Sequence, residues 1–254
     1  MEIDDIINDY TYNYLGTNEL ARKYGLHRMT IQRRLKKANI KLRKKTPQYR
    51  VNHHFFSQYN ENSCYWAGFI LADGYIRNKN RFTLEIKLQK GDVEHLYKFK
   101  RNVEYEGKII ERDTYYSITI SSEQIINDLF TMFNIYNNKS LTCFISDKIP
   151  IKYLKDFIRG YFDGDGCITH TTTDTINFLG TNKTINFIRE YFFTIVGIKL
   201  RSKEMPNITT NGNICVINYS GKSAFKCLHY MYNNSTTYLD RKFFKYGNLI
   251  KKYS

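Results

Sequence analysis

The chain has no C-x-x-C pair. Its five cysteines, Cys64, Cys143, Cys167, Cys215 and Cys227, are scattered and odd in number. That pattern excludes a disulfide framework and a cysteine zinc site, and it fits a reducing compartment. No apolar run approaches the length that spans a membrane; stretches such as AGFILA are far too short. The first residues, MEIDDIINDY, are acidic and offer no basic region of the kind that opens a secretory signal. A soluble intracellular protein is expected, in a bacterial or phage-infected cytoplasm or in an organelle. Residues 20 to 50 contain no Asp or Glu at all.

That same stretch holds twelve Lys or Arg of the 39 in the chain, so the other 27 nearly balance the 24 acids and the net charge of +15 is concentrated near one end. Such a concentration points to a polyanionic partner, nucleic acid first. The length of 254 residues allows one large domain or two smaller ones, each with a buried core. DDIINDYTYNYL reads as a first helix, and Gly16-Thr17-Asn18 as the turn that caps ELARKYG. In LHRMTIQRRLKKANI, Leu26, Ile31, Leu35 and Ala38 are spaced for one buried helical stripe. Ala21, Gly25 and Ile31 follow the spacing of a helix-turn-helix. Its exposed face would carry His27, Arg28, Gln32, Arg33 and Lys36, side chains that reach phosphates and base edges. An ordinary basic hairpin is the alternative. Residues 47 to 60, polar at first and holding one of only three prolines, read as a basic linker.

IRGYFDGDGCI, residues 158 to 168, is an apolar helical run ending in two carboxylates. A helix C-terminus is the negative end of the dipole, so acids there are unfavourable unless a cation joins them. The stretch recurs: in WAGFILADGYI, residues 66 to 76, Gly68, Asp73 and Gly74 match Gly160, Asp165 and Gly166, each 92 positions later. Another 89 residues follow Asp165, so two equal units fill the chain from about residue 60. The repeat also separates the two acids. Leu71 stands where the second unit has Asp163, whereas Asp73 is kept opposite Asp165. Asp163 lies about 200° around the helix from Asp165 and is expected to face solvent or to support the site from behind.

Strands follow each motif. RFTLEIKLQ, residues 81 to 89, and YYSITIS, residues 115 to 121, alternate between apolar and polar positions as half-buried antiparallel strands do. DTINFLG, KLRSKE and NICVINYS echo them in the second unit. Helical stretches lie between, over DVEHLYKFKRNV, SEQIINDLFTMF, NKTINFIREYFFTIV and SAFKCLHYMY. Each unit therefore reads α-β-β-α-β-β-α.

AGFILADG and RGYFDGDG, two copies at this spacing with strands after each, and the ending YLDRKFFKY resemble the LAGLIDADG homing endonuclease family over nearly all of residues 55 to 254. The resemblance implies an α+β fold of two pseudo-symmetric αββαββα repeats that form a saddle-shaped DNA-binding surface, with the all-α helix-turn-helix as an added head. The boundaries would be 1–46 for the head, 47–60 for the linker, and 61–149 and 150–254 for the repeats. It implies a sequence-specific double-strand endonuclease, monomeric, acting on a long and imperfectly symmetric DNA site. Asp73 and Asp165 would be catalytic. They would hold Mg²⁺, or Mn²⁺ in its place, together with the backbone carbonyls of Ala72 and Gly164. Lys87 and Lys222 are the candidates for a lysine near each scissile phosphate. DNA contacts are expected from Arg28, Gln32, Arg33 and Lys36 in the head, from Arg77, Arg81, Thr83, Lys87 and Gln89 in the first repeat, and from Arg201 and Lys203 in the second. Leu71 and Arg159 depart from the family pattern at its first acid and first alanine. A DNA-binding regulator without nuclease activity and an intron maturase acting on RNA are the alternatives.

Overall fold

A computed structural model describes residues 3–43, 49–78, 81–137, 144–170, 172–198, 207–208 and 214–253. The chain divides into two compact units, residues 1–50 and 51–254.

The first unit holds three helices, α1 (Ile3–Thr11), α2 (Thr17–Tyr24) and α3 (Arg28–Lys37). Ile6, Tyr10, Leu20, Ile31 and Leu35 form its core, with Leu15, Ala21 and Leu26 packed against them. Two local signals set the ends of α2. The Glu19 carboxylate accepts the Gly16 N–H at 2.6 Å, and Gly25 ends the helix at φ +62°, a left-handed conformation that glycine adopts without strain. Asp9 is buried beneath α2 and accepts bonds from Lys23 Nζ and Tyr24 Oη, both at 2.5 Å, and from Asn13 at 2.8 Å. Burial alone would raise its carboxyl pKa, but these donors outweigh it and hold the group below the usual carboxylate range.

The second unit begins with two repeats of the expected order. The first runs α4 (Glu61–Asp73), β1 (Gly74–Arg77), β2 (Thr83–Gln89), α5 (Val93–Asn102), β3 (Ile110–Glu111), β4 (Tyr115–Ser121) and α6 (Glu123–Phe133). The second runs α7 (Ile151–Asp165), β5 (Cys167–His170), β6 (Asp174–Thr181), α8 (Asn182–Val196), β7 (Asn207–Ile208), β8 (Ile214–Ser220) and α9 (Lys222–Tyr232), and α10 (Asp240–Tyr253) closes the chain. Each repeat folds its strands into an antiparallel sheet, β1-β2-β4-β3 and β5-β6-β8-β7. The alternating pattern buries Leu84, Ile86 and Leu88 on one side of β2 and Ile176 and Phe178 on one side of β6. The strand expected in KLRSKE lies outside the described residues. Strands β1, β3 and β5 were expected in number but not located, and helix α10 was not anticipated, because strands of two to four residues and a heavily basic helix give weak periodic signals.

The expected linker is shorter than its composition suggested. Val51, His53 and Phe56 are buried, His53 pairs with Ser122 at 2.7 Å, and the Phe56 ring packs edge-on against Phe133. Aromatic burial therefore draws residues 51–60 into the second unit.

Helices α4 and α7 lie at the centre of that unit and meet backbone to backbone. A Cβ built on Gly68 would sit 2.0 Å from the Phe157 carbonyl oxygen, and one on Gly160 would sit 1.9 Å from that of Tyr65. The two contacts are the same contact seen twice, since both pairs of partners are 92 residues apart. Glycine is required here by the approach of the backbones.

Candidate functional site

The pseudo-symmetric packing carries the two motif ends to one place. The Ala72 Cβ lies against Gly164, 2.3 Å from where a Cβ on that glycine would stand, and Asp73 Oδ2 lies 3.5 Å from the same point. Asp73 is exposed at the end of α4 and Asp165 is half-buried at the end of α7. Two carboxylates and the carbonyls of two helix ends make an all-oxygen donor set. Among the described residues no group of three or more His, Cys, Asp or Glu could hold a metal ion. Oxygen donors of this kind have the chemistry of a Mg²⁺ site, which takes one or two carboxylates and completes its shell with water and substrate phosphate.

Beneath this pair lies a polar network that the sequence did not reveal. Asp163 does not face solvent: it is 1% exposed and accepts bonds from Tyr65 Oη at 2.6 Å, Tyr232 Oη at 2.5 Å and the Leu239 N–H at 2.8 Å. Burial raises its pKa, against the pull of Lys242 and of these donors. Lys242 is also 1% exposed. Its ammonium donates to the carbonyls of Phe162, Asp163 (2.9 Å) and Gly166 (2.5 Å), wrapping the end of α7. Burial pushes its pKa down to about 8, while the charge of Asp163 and, less strongly, that of Asp73 oppose the fall. The negative end of α7 is thus met from within by a cation. The only hint in the sequence was the lysine in YLDRKFFKY. Arg159, the other departure from the motif, is fully buried and donates to Asp156 at 2.8 Å, Met231 O at 2.9 Å, Thr237 O at 2.9 Å and Glu61 at 3.2 Å. It ties α7 to the start of α4 and to the segment after α9.

The remaining candidates divide by register. Gly74 pairs with Ile86, so Lys87 stands one residue from the level of the α4 end, half-exposed and 3.4 Å from Glu85. Lys222 is not brought to the site. It is the first residue of α9, past Ser220, which pairs with Thr175 near the turn between β5 and β6; Asp165 lies toward the other end, where Cys167 pairs with Asn177. Arg77, Thr83, Lys87 and Gln89 share the face of their sheet that is not buried, whereas Arg81 is exposed in the bend before β2. Arg201 and Lys203 lie outside the described residues. In the first unit Arg28, Arg33 and Lys36 are exposed along α3 and Gln32 is half-buried.

Residues 62–145 match the family model of the WhiA LAGLIDADG-like domain. The I-GzeII LAGLIDADG homing endonuclease in complex with its DNA target superposes with a TM-score of 0.51 at 14% identity, over 76% of this chain and 90% of that one. The I-SmaMI LAGLIDADG homing endonuclease bound to cleaved DNA gives 0.51 at 14% identity, over 76% and 88%. No curated protein matches the sequence. The second unit is a LAGLIDADG fold. Its two motifs, WAGFILADGYI and IRGYFDGDGCI, lie on its paired central helices α4 and α7 and run into the strands after them, and a separate three-helix unit precedes them in the chain. No helix among the described residues is long and apolar enough to cross a membrane.

Proposed function

We propose that the chain is a sequence-specific double-strand DNA endonuclease of the homing type. The observation that carries this reading is that the ends of the two motif helices, each bearing an acid (Asp73 and Asp165), meet at Ala72 and Gly164. A purely architectural pair would have been better served by uncharged residues, because like charges at two negative helix ends repel. Asp73 and Asp165, with the carbonyls of Ala72 and Gly164, would hold Mg²⁺ or Mn²⁺. A cation there supplies Lewis-acid stabilisation of a phosphodiester and lowers the pKa of an attacking water. Lys242 and Asp163 keep the end of α7 in place beneath the acids. Lys87, next to the α4 end, sets a positive charge where a scissile phosphate would lie. Duplex DNA would lie along the unburied faces of the two sheets, and the basic face of α3 in the first unit would add phosphate contacts outside the cleavage site. One chain carries both motifs, so it acts as a monomer.

The test is cleavage of the uninserted target locus by the purified chain with Mg²⁺, and then with EDTA. Asp73→Asn and Asp165→Asn should each abolish double-strand cleavage and leave DNA affinity largely intact. Either variant cutting both strands at the parent rate would overturn the assignment. Tight, sequence-specific binding with no metal-dependent cleavage would favour a DNA-binding regulator instead.

A further inference from the structure

The repeat makes the two sheets equivalent, and the faces not buried in the core can be compared position by position. Arg77 corresponds to Thr169, Glu85 to Asn177 and Lys87 to Leu179, each 92 residues apart. The register confirms that these are structural equivalents: Arg77 pairs with Thr83 as Thr169 pairs with Thr175, and Gly74 and Cys167 open the two hairpins just after the motif helices. All three positions are charged in the first repeat and uncharged in the second. The contrast is confined to these positions: Glu85 pairs with Thr119 and Lys87 with Ser117 on the first sheet, and Asn177 pairs with Asn218 and Leu179 with Val216 on the second. Leu179 is 38% exposed beside that valine, on a face that also carries Cys167, Thr169, Thr175, Ile214 and Ser220.

These side chains differ in which base edges they satisfy. A guanidinium or ammonium matches the two acceptors, O6 and N7, of guanine, and a carboxylate accepts from the N4 amine of cytosine. A carboxamide donates to N7 and accepts from N6 of adenine, and aliphatic carbons pack against the methyl group of thymine. We infer that the two sheets read different half-sites: β1-β2-β4-β3 a half-site with G·C pairs at its contacted positions, β5-β6-β8-β7 a half-site of A·T pairs. Arg77 and Glu85 are the specificity-determining residues of the first, and Asn177 and Asn218 those of the second. The inference rests on the proposed DNA-binding function. It requires no cleavage, so binding alone tests it.

The experiment selects bound duplexes from a library randomised across the whole site, in EDTA, with the full chain. Two swapped variants accompany it, Arg77→Thr/Glu85→Asn and Thr169→Arg/Asn177→Glu. All four positions are on the unburied strand faces, so each variant should fold, and thermal melting checks this. The parent should enrich a site with one G·C-containing and one A·T half, by on the order of tenfold per contacted base pair. The first variant should turn the G·C half toward A·T and leave the other half unchanged, and the second should do the reverse. Halves of equal composition, or a swap that leaves the selected bases unchanged, would overturn the inference while leaving sequence-specific binding in place. Recovery of no preferred sequence at all would remove the underlying DNA-reading function and the inference with it.

Discussion

Gly68→Ala is the sharpest test of how α4 and α7 are joined. The added methyl carbon would lie 2.0 Å from the carbonyl oxygen of Phe157 and 2.9 Å from the Tyr161 nitrogen. Both are backbone atoms inside a helix, so neither can swing away as a side-chain tip would. Restoring a tolerable contact requires the helices to part by about 1 Å along their central seam, which loosens the packing of Trp66, Phe69 and Phe157 on either side. Overpacking of this kind costs typically 1–3 kcal/mol, and a rigid backbone partner places this case at about 3 kcal/mol or above. For a unit of this size that corresponds to a fall in Tm of roughly 6–12 °C. Gly160→Ala should do the same, because its Cβ would meet the Tyr65 carbonyl at 1.9 Å in the symmetry-related contact. Gly247→Ala is the control. It sits inside α10 with nothing within 4 Å of its Cβ position. Removing a helical glycine there should raise stability by about 0.5–1 kcal/mol. Thermal unfolding followed by circular dichroism and by the fluorescence of Trp66, the one tryptophan, reads all three variants. A Gly68→Ala protein melting within roughly 2 °C of the parent would refute the backbone contact.

Three further outcomes are expected. Deleting residues 1–50 should leave the second unit folded and lower the log–log salt slope of DNA binding by about 2–3, the loss of three phosphate contacts from Arg28, Arg33 and Lys36 at roughly 0.9 each; an unchanged slope would mean that the basic helix does not touch DNA. Lys87→Met should slow strand cleavage by about 10²–10³-fold, the effect of removing one electrostatic donor, with site recognition retained, whereas Lys222→Met should stay near the parent rate. Equal losses in the two variants would argue against the register-based choice between them. Asp9→Asn should destabilise the three-helix unit at neutral pH by about 1–3 kcal/mol, since it weakens bonds to Lys23 and Tyr24. Because the folded carboxyl is held below its unfolded value, the contribution is complete above the unfolded pKa and is lost as pH falls through the folded one. The gap between variant and parent, followed by amide exchange across residues 3–43, should therefore close in acid; a gap that persists there would place its origin elsewhere.

Much of the molecule was legible before folding because its signals are local or repeated. The 92-residue offset tied Asp73 to Asp165 and Gly68 to Gly160, and a strict period of two marked β2 and β4. The apolar spacing of Ile31 and Leu35 marked α3, and Gly25 marked the turn before it. These features depend on backbone period and on glycine chemistry, which a linear reading captures. Other features depend on what meets across long sequence separations. Asp163 read as an acid that faced solvent or supported the site from behind, and what decided between the two was its enclosure by Tyr65, Tyr232 and the segment at Leu239, residues up to 98 positions away. Lys242 had no role in the sequence reading beyond its place in YLDRKFFKY, and α10, folding back, placed its ammonium at the end of α7. The linker read as polar until Phe56 found Phe133. Lys222 stood beside a glycine at a strand end in the sequence, but sheet register, which depends on pairing with β6, carried it toward the hairpin turn. The sequence determined which residues repeat and where helices and strands run. The tertiary structure decided which charges are buried and which stand beside the paired acids, because burial and register are properties of contacts between distant segments.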